Sequence, residues 1–105
     1  ALRVPVFYGS SAAVNVETQG ALDSDDARAA LVVAPGVELV DDPTAGDYPT
    51  PVDAAGRDEV QVGRLRADGS RPGGLALWLA ADNLRAGAAL PAVRVAELLL
   101  LASED

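Results

Sequence analysis

The chain has 105 residues, and it lacks cysteine, histidine, methionine, lysine and isoleucine, so that all eight basic residues are arginine. Sixteen acids against eight bases give a net charge of −8, which repels phosphate backbones and anionic bilayers and argues against nucleic acid or a membrane as a partner. With no thiolate, no imidazole and no lysine amine, only carboxylates, hydroxyls and guanidinium groups remain for chemistry, and soft metal ligands are ruled out.

This length predicts one domain over residues 1–105, large enough to hide roughly two-thirds of its unfolded surface. No apolar run reaches the length of a bilayer span and no signal-like block opens the chain, so a soluble, cytoplasmic protein is expected.

In chain order, residues 3–8 alternate as a strand, with Val4, Val6 and Tyr8 on one face. Pro5 makes it an edge or a bulge. After the Gly9-Ser10-Ser11 turn signal, alternation resumes from Ala13 to Glu17, as the second half of a hairpin or of one kinked strand. A helix is predicted over residues 24–34. Asp23 is its N-cap, Leu22 its hydrophobic staple and Asp26 an acid favourably placed at the dipole, while Pro35-Gly36 stops it. Val37 to Val40 reads as a short strand.

Residues 41–59 carry prolines, glycines and acids without a period and are predicted to be a long loop anchored by Tyr48. A carboxylate cation site at Asp41, Asp42 and Asp47 lacks calcium-loop spacing, and a solvated acidic loop is the preferred reading, with no metal. Residues 60–66 alternate again, which puts Val60 and Val62 on the face that carries Arg64 and Arg66. These two arginines either grip an anion, or a carboxylate across a dimer, or cap a polar face. Asp68-Gly69 turns the chain into a hairpin with residues 75–80.

Gly74 to Leu101 holds the highest apolar content and the only tryptophan, and it is taken as the element around which the rest packs. Leu75, Leu77 and Leu79 alternate with Ala76, Trp78 and Ala80, which suits a central strand covered on both faces. A helix is predicted from near Ala88 to Ala102, with Pro91 in its first turn. Only Arg94 and Glu97 are polar on its wheel, so it is expected to be buried, one side against another domain or another copy. The predicted fold is α/β (α+β), a mixed, largely antiparallel sheet covered by two main helices.

Three blocks carry a resemblance that covers nearly the whole chain: residues 3–9 (RVPVFYG), residues 60–66 (VQVGRLR), and Leu77-Trp78 with Ala81-Asp82-Asn83-Leu84-Arg85 and Gly87-Ala88-Ala89-Leu90. In this order and spacing, with the Asp41-Asp42-Pro43 and Asp47-Tyr48-Pro49-Thr50-Pro51 loop between them, they resemble the C-terminal, dimerisation and substrate-binding part of the aspartate-β-semialdehyde dehydrogenases. Such enzymes reduce β-aspartyl phosphate with NADPH, using a cysteine nucleophile, a histidine acid/base and an arginine that holds the substrate carboxylate. The resemblance implies that Arg3 stands in the arginine's place, as a substrate-binding residue or a structural remnant of one. Ser10 stands in the histidine's place. Ala12, Ala86, Pro91 and Arg94 likewise replace polar residues of the family pattern, while the packing blocks are intact.

No catalytic, cofactor-binding or metal-binding residue is therefore assigned, and a serine does not replace imidazole as a base near neutral pH. The expectation is an oligomerisation module, catalytically incompetent as this chain stands, whose partner is a second copy in a homodimer or a missing nucleotide-binding domain. The alternative is the C-terminal piece of an NADP-dependent dehydrogenase of amino-acid biosynthesis. A third reading is an acidic module that offers the 41–59 loop to a cationic partner.

Overall fold

The strand predicted to be central occupies that place in the computed structural model, which describes residues 1–103. β4 (Gly74–Ala81) lies between β1 (Ser10–Glu17) and β3 (Val60–Ala67), and β2 (Val37–Leu39) completes the order β1-β4-β3-β2. β4 is antiparallel to both neighbours and β2 is parallel to β3. The mixed, largely antiparallel sheet is the one expected.

Helix α1 (Ser24–Val32) covers one face of this sheet. Its start is set by Asp23, whose carboxylate accepts hydrogen bonds from the amides of Asp25 and Asp26 at 2.9 and 2.8 Å, so that orphan donors of the first turn are satisfied. It ends two residues earlier than predicted, with Val33 as its C-cap. Ala27, Leu65 and Leu75 form the core, and Val16, Leu22, Leu31 and Leu77 pack against them.

Four expectations are overturned. The predicted strand over residues 3–8 is not one. Among the described residues no strand lies beyond β1 to pair with it, and Leu2 and Phe7 are almost fully exposed. The chain instead turns at Gly9, with φ of +89°, a conformation that costs glycine little. The 41–59 segment is not all loop, because Thr50 caps a short helix α2 (Pro51–Ala54) with Pro51 in its first turn. Its anchor is also not Tyr48, which is 53% exposed, but the adjoining Pro49, which is fully buried.

The third overturned expectation is the phase of β3. Val62 pairs with Leu79 and Gly63 with Trp78, but Arg66 pairs with Ala76, so Arg64 and Leu65 together stand opposite Leu77. This bulge puts Leu65 in the core under α1 and Arg66 on the opposite face beside Trp78, away from Val62. The fourth concerns the side of the last helix expected to be buried within this chain, and not its expected contact with another domain or another copy. A π-helical turn (Arg85–Ala89) leads into α3 (Leu90–Ala102), which buries none of its described residues. Within this chain it packs mainly on that turn, and Leu98 to Leu101 are each about two-thirds exposed. An apolar wheel signals burial only where a partner surface exists, and the described residues of this chain bury no side of it.

Candidate functional site

The arrangement that distinguishes the face away from α1 begins with a glycine. A Cβ on Gly63 would come within 2.1 Å of the Val40 carbonyl and 2.5 Å of Pro49 Cδ. Glycine is required there because the Val40 backbone and the Pro49 ring both lie directly against the strand. The next residue, Arg64, has φ of +56°, which is uncommon for a residue with a side chain. Asp41 holds it there. The Asp41 carboxylate, whose side chain is 2% exposed, accepts from the Arg64 amide at 2.9 Å and the Leu65 amide at 3.2 Å. Arg28 of α1 closes the network, donating to Asp41 Oδ2 at 2.6 Å and to the Asp41 carbonyl at 3.2 Å. A salt bridge in this position neutralises the buried carboxylate while its oxygens satisfy the two amides that the bulge removes from the ladder.

The outcome is a groove of about 390 Å³ whose walls include Ala13, Tyr48, Pro49 and Trp78 and whose polar residues include Arg64 and Arg66. The Trp78 indole N–H donates to the Pro49 carbonyl at 3.2 Å, which fixes the aromatic wall against the loop. Arg66 donates to the Arg64 carbonyl at 2.6 Å. Arg28, Arg57, Arg71 and Arg85 each pair with a carboxylate of the chain. Among the described residues, Arg64 and Arg66 have no carboxylate within ion-pair distance. Chemically the groove offers an apolar, aromatic floor and two unpaired cations, a combination suited to binding carboxylates and not to proton transfer at neutral pH.

The sequence-derived candidates lie elsewhere. Arg3 is exposed in the irregular segment before β1 and does not line the groove. Ser10 is the first residue of β1, exposed and opposite Ala81. Beside it, the Gly9 amide donates to Asn83 Oδ1 at 2.9 Å. The neighbouring Asp82 is buried and accepts from the amides of Gly56, Leu84 and Arg85 at 2.8, 2.9 and 3.1 Å. These bonds, that of Gly56 first, hold its carboxyl below the usual carboxylate range. Asp82 thereby ties the end of β4 to the residues after α2.

Asp41, Asp42 and Asp47 do not converge on a common point. Asp41 turns to the bulge, Asp42 accepts from the amides of Thr44 and Ala45, and Asp42 and Asp47 meet through a backbone bridge. No group of three or more metal-ligating side chains occurs among the described residues. No described helix is long and apolar enough to cross a membrane. Sequence reasoning names Asp41 only as a conceivable cation ligand and misses both the bulge and the part Asp41 plays in it. The available signal was an isolated glycine, Gly63, inside an otherwise regular strand pattern.

Comparison with known proteins places this geometry. Residues 1–86 match the family described as semialdehyde dehydrogenase, dimerisation domain. Aspartate-semialdehyde dehydrogenase of Legionella pneumophila is 54% identical over 100 residues, covering 94% of this chain and 29% of that protein. The enzyme of the same name from Aquifex aeolicus is 48% identical over 99 residues, with coverages of 94% and 29%. A crystal structure of aspartate semialdehyde dehydrogenase II from Vibrio cholerae aligns with a TM-score of 0.85 at 48% identity, over 93% of this chain and 29% of that one. The chain thus spans about 29% of the length of these relatives. With the match extending from the irregular N-terminal segment through β4, this chain belongs to the semialdehyde dehydrogenase dimerisation-domain family.

Proposed function

We propose that this chain works as an oligomerisation module of the aspartate-semialdehyde dehydrogenase type, forming a homodimer and performing no dehydrogenase chemistry by itself. The observation that carries the reading is the dimerisation-domain match over residues 1–86, on a chain that leaves Phe7, Leu98, Leu99 and Leu100 exposed. Exposed apolar area of this kind is the usual mark of an association surface. The absence of chemistry rests on the residue alphabet, with neither cysteine nor histidine present and Ser10 where the family carries its acid/base. NADP does not fit these residues, since the connection from β1 to α1 has Gly20 as its only glycine and no fingerprint for a pyrophosphate. Sedimentation equilibrium at tens of micromolar should give twice the chain mass, and a monomer mass across that range would overturn the reading.

A second reading is that the chain is the C-terminal piece of a longer NADP-dependent dehydrogenase in which Arg3 holds the substrate carboxylate. It is favoured by the 29% span of the relatives and by the exposure of Arg3, which has no ion-pair partner among the described residues. A bidentate contact would suit an aspartate-like carboxylate. Titration with a β-aspartyl analogue should then move the Arg3 side-chain resonances at sub-millimolar ligand, and unmoved resonances would remove Arg3 from the site.

A further inference from the structure

We infer that the cleft between Glu38 of β2, Gln61 of β3 and the 46–57 segment binds a small aliphatic diammonium ion. The cleft measures about 480 Å³, and Asp47, Tyr48, Asp53 and Arg57 line it together with Glu38 and Gln61. It contains neither arginine of the Arg64–Arg66 groove, and its ligand does not depend on dimerisation.

Gln61 is the first observation. Only 2% of the residue is exposed, and its partner across the sheet, Ala80, is fully buried, so an apolar side chain here would need no hydrogen bond at all. The Gln61 Nε2 donates to Glu38 Oε2 at 3.0 Å. That bond fixes the amide, because the reversed orientation would set oxygen against carboxylate. Gln61 Oε1 is buried and has no donor among the described residues. Such an acceptor carries a desolvation cost that a bound N–H group removes.

The second observation is charge. Glu38, Asp47 and Asp53 stand in the cleft against Arg57 alone, and Arg57 is already engaged, donating to the two Glu38 oxygens at 3.2 and 3.1 Å. Asp53 accepts from the Thr50 hydroxyl through Oδ2 only. The Asp47 carboxylate pairs with no cation and accepts no hydrogen bond among the described residues, its backbone alone being bridged to Asp42. The cleft therefore offers acceptors and negative charge to a ligand that brings donors and positive charge. The third is spacing. No group of three or more metal-ligating side chains occurs among the described residues, so these acids do not meet at the single point that a metal ion needs. A short methylene chain with an ammonium at each end suits separated acceptors, with one end at Gln61 Oε1 and the other at Asp47 and Asp53. Since Gln61 Oε1 is closed to water as the side chains stand, binding includes a shift of the cleft wall, where the Arg57 and Tyr48 side chains are both about half exposed.

The test is isothermal titration calorimetry with putrescine at physiological salt, on the parent and on Gln61→Met, Asp47→Asn and Asp26→Asn. Methionine fills the place of Gln61 without its amide, and Glu38 keeps its bonds to Arg57, so Gln61→Met should unfold at least as late as the parent when no ligand is present. Asp26 is exposed on α1, and its variant removes the same charge away from the cleft. The expected result is saturable binding of one putrescine per chain, weakened tenfold or more in Gln61→Met and in Asp47→Asn and within twofold of the parent in Asp26→Asn. Undiminished binding in either of the first two variants overturns the site. Equal weakening in Asp26→Asn also overturns it, since the effect is then diffuse attraction by the net charge of −8. Displacement of putrescine by an equal concentration of Mg²⁺ would replace the diammonium ion by a metal. No saturation at millimolar putrescine overturns the inference outright and leaves Gln61 Oε1 to a water molecule.

Discussion

Asp41 and Asp82 look alike in the sequence, as acids beside turns, and the fold uses both as acceptors for backbone amides that have left their regular ladder. Asp41 serves the bulge of β3 and Asp82 serves the turn after β4. An amide left without an acceptor in these places would carry the full desolvation penalty. For Asp82 this has a pH signature. Its folded carboxyl titrates below the ordinary value because the ionised form accepts from Gly56, Leu84 and Arg85. A depressed folded pKa contributes stability that is present above the unfolded value, about 3.9, and is lost as pH falls through the folded one. Asp82→Asn should therefore be less stable than the parent at pH 7, with a gap that narrows below about pH 4. Urea midpoints at pH 7 and pH 3 check this, and an equal gap at both would remove Asp82 as a source of acid sensitivity. Asp68, lowered chiefly by the Ser70 amide, acts in the same direction, so some acid dependence should persist in the variant.

At the scale of elements, α1 and α3 invert what their sequences suggest. The nine residues of α1 include Asp25, Asp26 and Arg28, yet this helix seals the core through Ala27. The thirteen residues of α3 are nearly all apolar and bury nothing in the described chain. Stability should follow burial and not composition. Leu65→Ala, which opens a cavity beside Leu75 and Ala27, should cost about 2–5 kcal/mol. Leu98→Glu, on a residue 66% exposed, should change the unfolding free energy of the isolated chain by no more than about 0.5 kcal/mol. Chemical denaturation of the two variants at a concentration where the parent is monomeric separates these outcomes, and a large loss in Leu98→Glu would mean that α3 folds back onto the sheet.

On the scale of the whole molecule, the radius of gyration of 15.6 Å exceeds the roughly 13 Å typical of a compact domain of this length. The irregular N-terminal segment and α3 both carry large apolar side chains at high exposure, and a chain in this state has surface to hide. Since no cysteine is present anywhere in the chain, Ser10→His by itself should leave the rate of β-aspartyl-phosphate-dependent NADPH oxidation at the buffer background, because an imidazole with no thiol to activate has no thioester to form. A rate above background in that variant would show that the chain reaches the chemistry by another nucleophile.

The sequence by itself determined the family, the central strand, the start of α1 at Asp23 and the hairpin from β3 to β4. Each is written in local chemistry, as a cap, a turn or an uninterrupted period, or in ordered blocks of residues. What the tertiary structure decided are the places where a partner sets the outcome. Residues 3–8 alternate as well as β1 does, but a strand exists only where another strand accepts its hydrogen bonds. Arg64 and Arg66 share a parity with Val62 in the sequence and part from it in the fold, because one extra residue opposite Leu77 shifts everything beyond it to the other face. Whether that residue is accommodated depends on Asp41, more than twenty positions upstream, and on the contact of Pro49 with Gly63. No local pattern encodes such a long-range meeting of side chain and backbone. The exposure of α3 belongs to the same class, since an apolar helix specifies that it must be covered and leaves the covering surface to the rest of the assembly.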